Sequence, residues 1–215
     1  MGLGNEWKSK AVGTARAVLC LALAFAVSAC SGGVLGGLIG TGNNPTPTYD
    51  LSAPGNFGAL PPRARGLLAV EQPTALQILD TEKVVISPSP GEVAYLSDAQ
   101  WVDRLPKLMQ ARIVQSFENS TRIRAVAKTQ DRVNADYVLV VDVRQFGITN
   151  YESAQAVVEL SVKIVYQRGG RIAAGTVLTS RVAANGTGGQ AATLALDRAF
   201  SDVLVQMVKW TSRRI

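Results

Sequence analysis

Apolar and polar positions change their period several times along this chain, and each change predicts an element. An apolar run without charge spans residues 17–27, after Lys8, Lys10 and Arg16. A Gly-rich stretch follows, ending in Asn-Asn-Pro-Thr-Pro-Thr at residue 48, with no helical or strand period; such a composition gives a flexible tether that stiffens toward its prolines. Residues 49–51 and 66–71 read as short strands separated by Pro61-Pro62. The β-branched run 83–87, the Pro88-Ser89-Pro90-Gly91 turn and the return over 92–96 read as a hairpin. Val102, Leu105, Met109, Ile113 and Phe117 then recur at three- and four-residue steps, the apolar stripe of a helix. Pro106 leaves two possible starts: Asp103 as N-cap, with the proline in the tolerated first turn, or Asp98, with a kink.

Three longer strands come next. Residues 137–146 are nearly continuously apolar up to Asp142, as in a central strand. Over 156–166, Val158, Leu160, Val162, Ile164 and Tyr166 alternate with Glu159, Ser161 and Lys163, so one face is wet. Gly169-Gly170 suits the positive backbone angles of a tight hairpin, and 171–182 should return antiparallel. Thr187 and Gln190 have capping-box spacing ahead of a second helical stripe, Leu196, Phe200, Val203, Met207 and Trp210. The expected fold is α+β: a mainly antiparallel sheet of about five or six strands with two helices packed on one face.

The N-terminal pattern bears on location. Basic residues, an apolar run and then Ser28-Ala29-Cys30 follow the n-region, h-region and cleavage-site order of a secretory signal peptide. The run is shorter than the roughly 20 apolar residues of a membrane-spanning helix. Val27-Ser28-Ala29-Cys30 resembles a bacterial lipobox, with Cys30 as the acylated N-terminus of the mature protein; Cys20, behind bulky Leu19 and inside the apolar run, is the weaker cysteine. The expected organisation is a signal peptide over 1–29, a lipidated N-terminus and Gly/Pro-rich tether over 30–48, and a single periplasmic domain over 49–215. Val34, Leu35, Leu38 and Ile39 punctuate the tether, either as plain linker or as a segment resting at the lipid interface.

Composition narrows the chemistry. Removing residues 1–29 takes Lys8, Lys10, Arg16 and Glu6 from 22 basic and 16 acidic side chains, leaving 19 and 15, a net charge of +4. That charge is dispersed, and Arg213-Arg214 is only a pair, so no basic, aromatic-studded stripe marks a nucleic-acid surface. A mature chain with Cys30 as its one cysteine forms no internal disulfide. The chain has no histidine, which removes Ser-His-Asp and Cys-His catalysis and histidine-ligated zinc. Asp136 and Asp142 would share a strand face but lie about 20 Å apart at ~3.3 Å per residue, beyond the roughly 5–9.5 Å of a two-carboxylate hydrolase. The expectation is a protein without catalytic residues, metal ligands or cofactor beyond the covalent lipid on Cys30.

Candidate contact residues are few. Trp101 reads either as an interface anchor near the start of a helix or as a core tryptophan sealing helix onto sheet, the commoner fate. Tyr95 carries the same ambiguity, with its hydroxyl in water if it caps the core. Asp80 reads as a turn cap before Thr81, and Trp210 as core. An unpaired edge of the sheet is a further way to accept a partner strand.

The order of these features resembles the ABC-type transport auxiliary lipoprotein family, which includes the paraquat-inducible protein C lipoproteins of Gram-negative bacteria. The features are the lipobox, Tyr49-Asp50-Leu51, Leu79-Asp80-Thr81, Val93-Ala94-Tyr95, Trp101 with Leu105-Pro106, Ala135-Asp136-Tyr137 and a closing helix ending at Trp210. The resemblance covers roughly residues 49–210. It implies a non-catalytic subunit that assists an MCE-type lipid transporter, in which an inner-membrane ABC permease and ATPase work with an MCE-domain protein as periplasmic conduit, and that docks this conduit at the outer membrane for phospholipid traffic. No Walker-type phosphate loop occurs in this chain, so the ATPase would be another polypeptide. By the same analogy Ser31, where the inner-membrane retention signal has aspartate, sorts the lipoprotein to the outer membrane. Tyr95 and Trp101 are the partner-binding candidates, and homo-oligomers are compatible with the pattern. The competing expectation is a periplasmic lipid carrier that itself encloses an acyl chain, which would require a concave apolar pocket.

Overall fold

Strand β7 (Tyr137–Thr149), thirteen residues long, organises the sheet. The computed structural model describes residues 45–60, 62, 64–150 and 153–215; Cys30, Ser31, the signal peptide and nearly all of the tether lie outside them. One edge of β7 is taken along its whole length by β8 (Gln155–Tyr166), antiparallel, from Tyr137 opposite Tyr166 to Thr149 opposite Gln155. β9 (Ile172–Ala183) continues the sheet antiparallel to β8. Between them Gly169 and Gly170 adopt φ values of 84° and 62°, the left-handed region that the Gly-Gly turn was expected to supply.

The other edge of β7 is shared by three short strands laid end to end, all parallel to it. β2 (Ala64–Val70) pairs with residues 137–139, β3 (Thr74–Ala75) with 142–143 and β4 (Lys83–Ser87) with 148–149. Residues 64–87 thus amount to one interrupted strand. Pro73, which has no N–H for a ladder, falls at the first break, and a turn in which Leu79 and Asp80 donate to the Leu76 carbonyl makes the second. Outside β4 lie β5 (Ala94–Trp101), antiparallel, and then β1 (Thr48–Tyr49), parallel to β5. Outside β2 lies β6 (Ile123–Lys128), also parallel.

Among the described residues the sheet therefore has nine strands and is mixed, in place of the five or six mainly antiparallel strands that the sequence suggested. Alternation along a strand reports which face is buried and carries no information about direction. Treating successive runs as hairpins fails at 64–87, where the chain resumes in the same direction after each break. β6 went unseen because Ile-Arg-Ala-Val-Ala-Lys buries only Ile123 fully.

Helix α1 (Leu105–Ser120) starts later than either predicted cap. Arg104 is its N-cap, and the Leu105 N–H donates to the Thr81 carbonyl at 3.0 Å. Asp103 instead accepts from the Arg104 N–H and pairs with Lys107. Pro106 lies in the first turn, where its missing N–H costs nothing. Val102 is outside the helix and exposed; the buried stripe is Leu105, Leu108, Met109, Ile113 and Phe117.

Helix α2 (Gly189–Ser212) has Gly188 as N-cap, and the Thr187–Gln190 capping box does not form. Its first N–H is met from elsewhere, for Asp98 on β5 accepts from the Gly189 N–H at 2.8 Å. Glycine is required there by space: a Cβ on Gly189 would meet the Asp98 carbonyl oxygen at 2.5 Å. Both helices contact the sheet and each other around one hydrophobic cluster. At its centre Trp101, Phe146 and Phe200 meet edge to face, with centroids 5.9 and 5.7 Å apart, tying β5, β7 and α2 together.

Phe200→Ala should lower stability by about 3–5 kcal/mol, the cost of a large aromatic deleted from a closed core. Asp98→Ala should lose about 1 kcal/mol through the helix terminus, with Asp98→Asn recovering most of it. Urea unfolding followed by tryptophan fluorescence measures both.

Candidate functional site

The segment that follows β1 lies across the two helices and fastens to each. Asp50 pairs with Arg112 of α1, and the Ser52 N–H donates to Asp197 of α2 at 2.6 Å. Asn119 of α1 donates to the Pro54 carbonyl at 3.1 Å. Leu51 and Phe57 are buried, inserting between polar fastenings. Residues 50–57 thus form a strap in which two apolar side chains enter the core and three hydrogen-bonded contacts, two of them to the strap's backbone, hold it in place. Upstream, β1 is locked to β5 by the Gln100 N–H donating to Pro47 and the Val102 N–H donating to Tyr49. Whatever load enters at Pro45 is passed to the sheet edge and to both helices. Sequence reasoning saw Tyr49-Asp50-Leu51 as a strand and missed the strap; its one signal was isolated Leu51 and Phe57 in an otherwise polar, Pro/Gly-containing stretch.

Asp50 is the electrostatic end of this strap. The hydrogen bond from the Arg112 guanidinium holds its carboxyl below the usual carboxylate range, with the Leu51 N–H helping and partial burial opposing.

Asp80 does more than cap a turn. Its carboxylate receives Nε and Nη2 of Arg104 at 3.0 and 2.7 Å, while Nη2 also donates to the Asp80 carbonyl at 3.3 Å. This fork joins the β3–β4 turn to the N-cap of α1. Together with the bond from Leu105 to Thr81, it explains why Leu79-Asp80-Thr81 and Arg104-Leu105-Pro106 occur together in one chain.

The predicted contact residues separate. Trp101 ends β5 rather than beginning a helix and is 2 % exposed, so its indole is out of reach of a partner in this structure. Tyr95 is 37 % exposed; its hydroxyl donates to the Ile78 carbonyl at 3.2 Å, and the Lys83 ammonium lies 5.0 Å from its ring centroid. Trp210 is half-buried against the core under Arg214. Asp136 accepts from the Leu67 N–H and Asp142 from the Thr74 hydroxyl, so the two carboxylates serve different strand junctions.

Two cavities lie at the margins of the sheet. One, of about 200 Å³, is bounded by Ala183, Gln190, Leu194 and Arg198; the other, of about 290 Å³, by Asn134, Asp136, Tyr137, Tyr166 and Arg168. The first is bordered by a mixture of apolar and polar side chains and the second mainly by polar ones, and both fall below the ~300–1,000 Å³ of a site that encloses a small molecule. Among the described residues no cluster of three or more carboxylate, thiol or imidazole side chains could hold a metal ion, and no helix is long and apolar enough to cross a membrane.

Because the Asp50 carboxyl titrates lower when folded than when unfolded, its contribution is complete above the unfolded pKa and is lost as pH falls through the folded one. Asp50→Asn should therefore destabilise the domain at pH 7, by at most about 1 kcal/mol for a half-exposed, screened pair. The difference from wild type should narrow between pH 7 and about pH 3, once the pH falls below the unfolded carboxylate value. Chemical unfolding at the two pH values checks this.

Comparison with known proteins agrees with this architecture. The chain is 33% identical over 164 residues to protein bll6063 of Bradyrhizobium diazoefficiens, an alignment covering 76% of this chain and 44% of that protein, so the chain spans less than half the length of this relative. The crystal structure of protein XCC0632 from Xanthomonas campestris superposes with a TM-score of 0.69 at 26% identity, covering 78% of this chain and 96% of that one. A second solved structure, 17% identical, has a TM-score of 0.58 over 77% of this chain and 95% of its own, a likeness of fold. The model of the ABC-type transport auxiliary lipoprotein component matches residues 49–208, from the strand that leads into the strap to the last turns of α2, and the chain belongs to that family.

Proposed function

We propose that this protein is a non-catalytic lipoprotein subunit of an ABC/MCE-type envelope transport system, lipidated at Cys30 and sorted by Ser31 to the periplasmic face of the outer membrane. There it docks the transporter conduit for phospholipid traffic. The coarse part, an auxiliary lipoprotein of an ABC-type transport system in the cell envelope, follows from the family. The finer part is supported above all by the strap: a domain whose N-terminal entry is bonded to the sheet and to both helices suits a body held from that end by a lipid anchor. Each buried CH₂ of the anchor adds about 0.8 kcal/mol to membrane attachment, so several acyl chains make it effectively permanent. A short tether then holds the domain at millimolar effective concentration for anything within reach.

The docking element we favour is β9. Among the described residues it pairs only with β8, so alternate backbone groups along the other edge of this twelve-residue strand face outward toward a partner strand. Trp101, buried at the centre of the core, is not part of that surface. The two cavities described above are too small to favour the carrier alternative.

Changing Cys30 to Ala should move the protein from the membrane fraction to the soluble periplasmic fraction; continued sedimentation with membranes would refute the anchor. A photo-crosslinker at Thr176 or Arg181 on β9 should capture an MCE-domain protein in intact cells. Capture of that protein from α1 positions instead would place docking elsewhere.

A further inference from the structure

Nine large apolar side chains are exposed among the described residues, and four of them gather at one corner. Leu76 and Ile78, exposed by 71 % and 36 %, lie on the turn between β3 and β4. Val93, 51 % exposed, and Tyr95 lie two residues apart where β5 begins. The Tyr95 hydroxyl bond to the Ile78 carbonyl brings the two pairs together. The corner is built from a turn and the tip of a hairpin, and most of its charged groups have local partners. Asp80 is forked by Arg104, Glu92 accepts from the Ser89 hydroxyl, and Lys83 lies over the Tyr95 ring near Glu82. Aliphatic side chains beside a tyrosine with a polar tip and a lysine are the chemistry of the membrane–water interface.

The path of the chain points to the same occupant. β1 runs parallel to β5, with Thr48 opposite Gln100, so the chain entering at Pro45 travels in the direction of β5 and arrives from the side of Val93 and Tyr95. From Cys30 to Pro45 is fifteen residues, about 21 Å as a relaxed coil. From Val93 to Gln100 is seven residues, less than the ~23 Å of a fully extended strand because the five steps from Tyr95 to Gln100 lie opposite two of β4. A tether of that relaxed length lets this corner touch the bilayer that holds the anchor without being stretched.

We propose that Leu76, Ile78, Val93 and Tyr95 form a secondary contact with the phospholipid surface, orienting the domain with the β4–β5 hairpin down and the β9 edge away from the lipid. The proposal rests on the Cys30 anchor assigned above. Confinement by that anchor makes a weak apolar contact sufficient, because the surface is always within reach.

The full lipidated protein, purified from membranes and reconstituted into phosphatidylethanolamine–phosphatidylglycerol vesicles, tests it. With Cys30 acylated, the single variants Leu76→Cys, Val93→Cys, Val177→Cys and Leu194→Cys each offer one thiol for a bimane label, all at exposed positions. Doxyl-labelled phospholipids should quench the labels at 76 and 93 about twofold more than those at 177 and 194. Flotation with the vesicles but equal quenching at all four sites would overturn the orientation and leave the anchor standing. Shielding at 76 and 93 that appears only on adding an MCE-domain protein would assign the corner to a protein and also overturn it. Failure to float would remove the anchor and this proposal together.

Discussion

Everything in this domain is arranged around the hydrogen-bonding capacity of one strand. β7 presents two edges of thirteen residues; β8 satisfies one of them throughout, and the other is divided among β2, β3 and β4. The inner face of β7, with Leu139, Val141, Val143 and Phe146 almost wholly buried, is the floor of the core. A strand buried on one face and paired on both sides has few alternatives in register, because a slip by one residue would exchange its Val and Leu positions with Asp142 and Arg144. The Gly147 position, where a Cβ would meet the Val85 carbonyl at 2.8 Å, fixes how closely β4 approaches.

Local elements and long-range fastenings divide the rest of the work. The helices owe their positions to contacts made far away in sequence: α1 starts where Thr81 and Asp80 receive Leu105 and Arg104, and α2 where Asp98 receives Gly189. Each fastening uses a carboxylate or carbonyl from the β3–β5 region to meet donors that a helix terminus leaves open. The strap adds a layer over the outer side of both helices, so the family's Tyr-Asp-Leu segment serves cohesion of the domain as much as its connection to the tether.

Sequence periodicity revealed what is local. The long alternation of β8, the Gly169-Gly170 turn and the apolar stripes of both helices were readable because a period of two or near 3.6 needs no knowledge of neighbours. Direction and partnership were not readable. Parallel pairing of β2, β3 and β4 leaves no mark in 64–87, and the capping partner of α2 sits 91 residues upstream, so a local Thr187–Gln190 spacing looked sufficient. Trp101 shows the same limit: the sequence left it between a surface anchor and the commoner core position, and its contact with Phe146, 45 residues later, decides for the core. Tyr95 stayed ambiguous in sequence because its neighbours on the β3–β4 turn are brought to it by the fold.

The strap also inverts the order of assembly. Its residues are synthesised ahead of the rest of the domain, yet the carboxylate that receives Ser52 lies 145 positions downstream, on α2. The early part of the domain thus closes over the helices only after α2 has formed, so the belt is among the last contacts to be made.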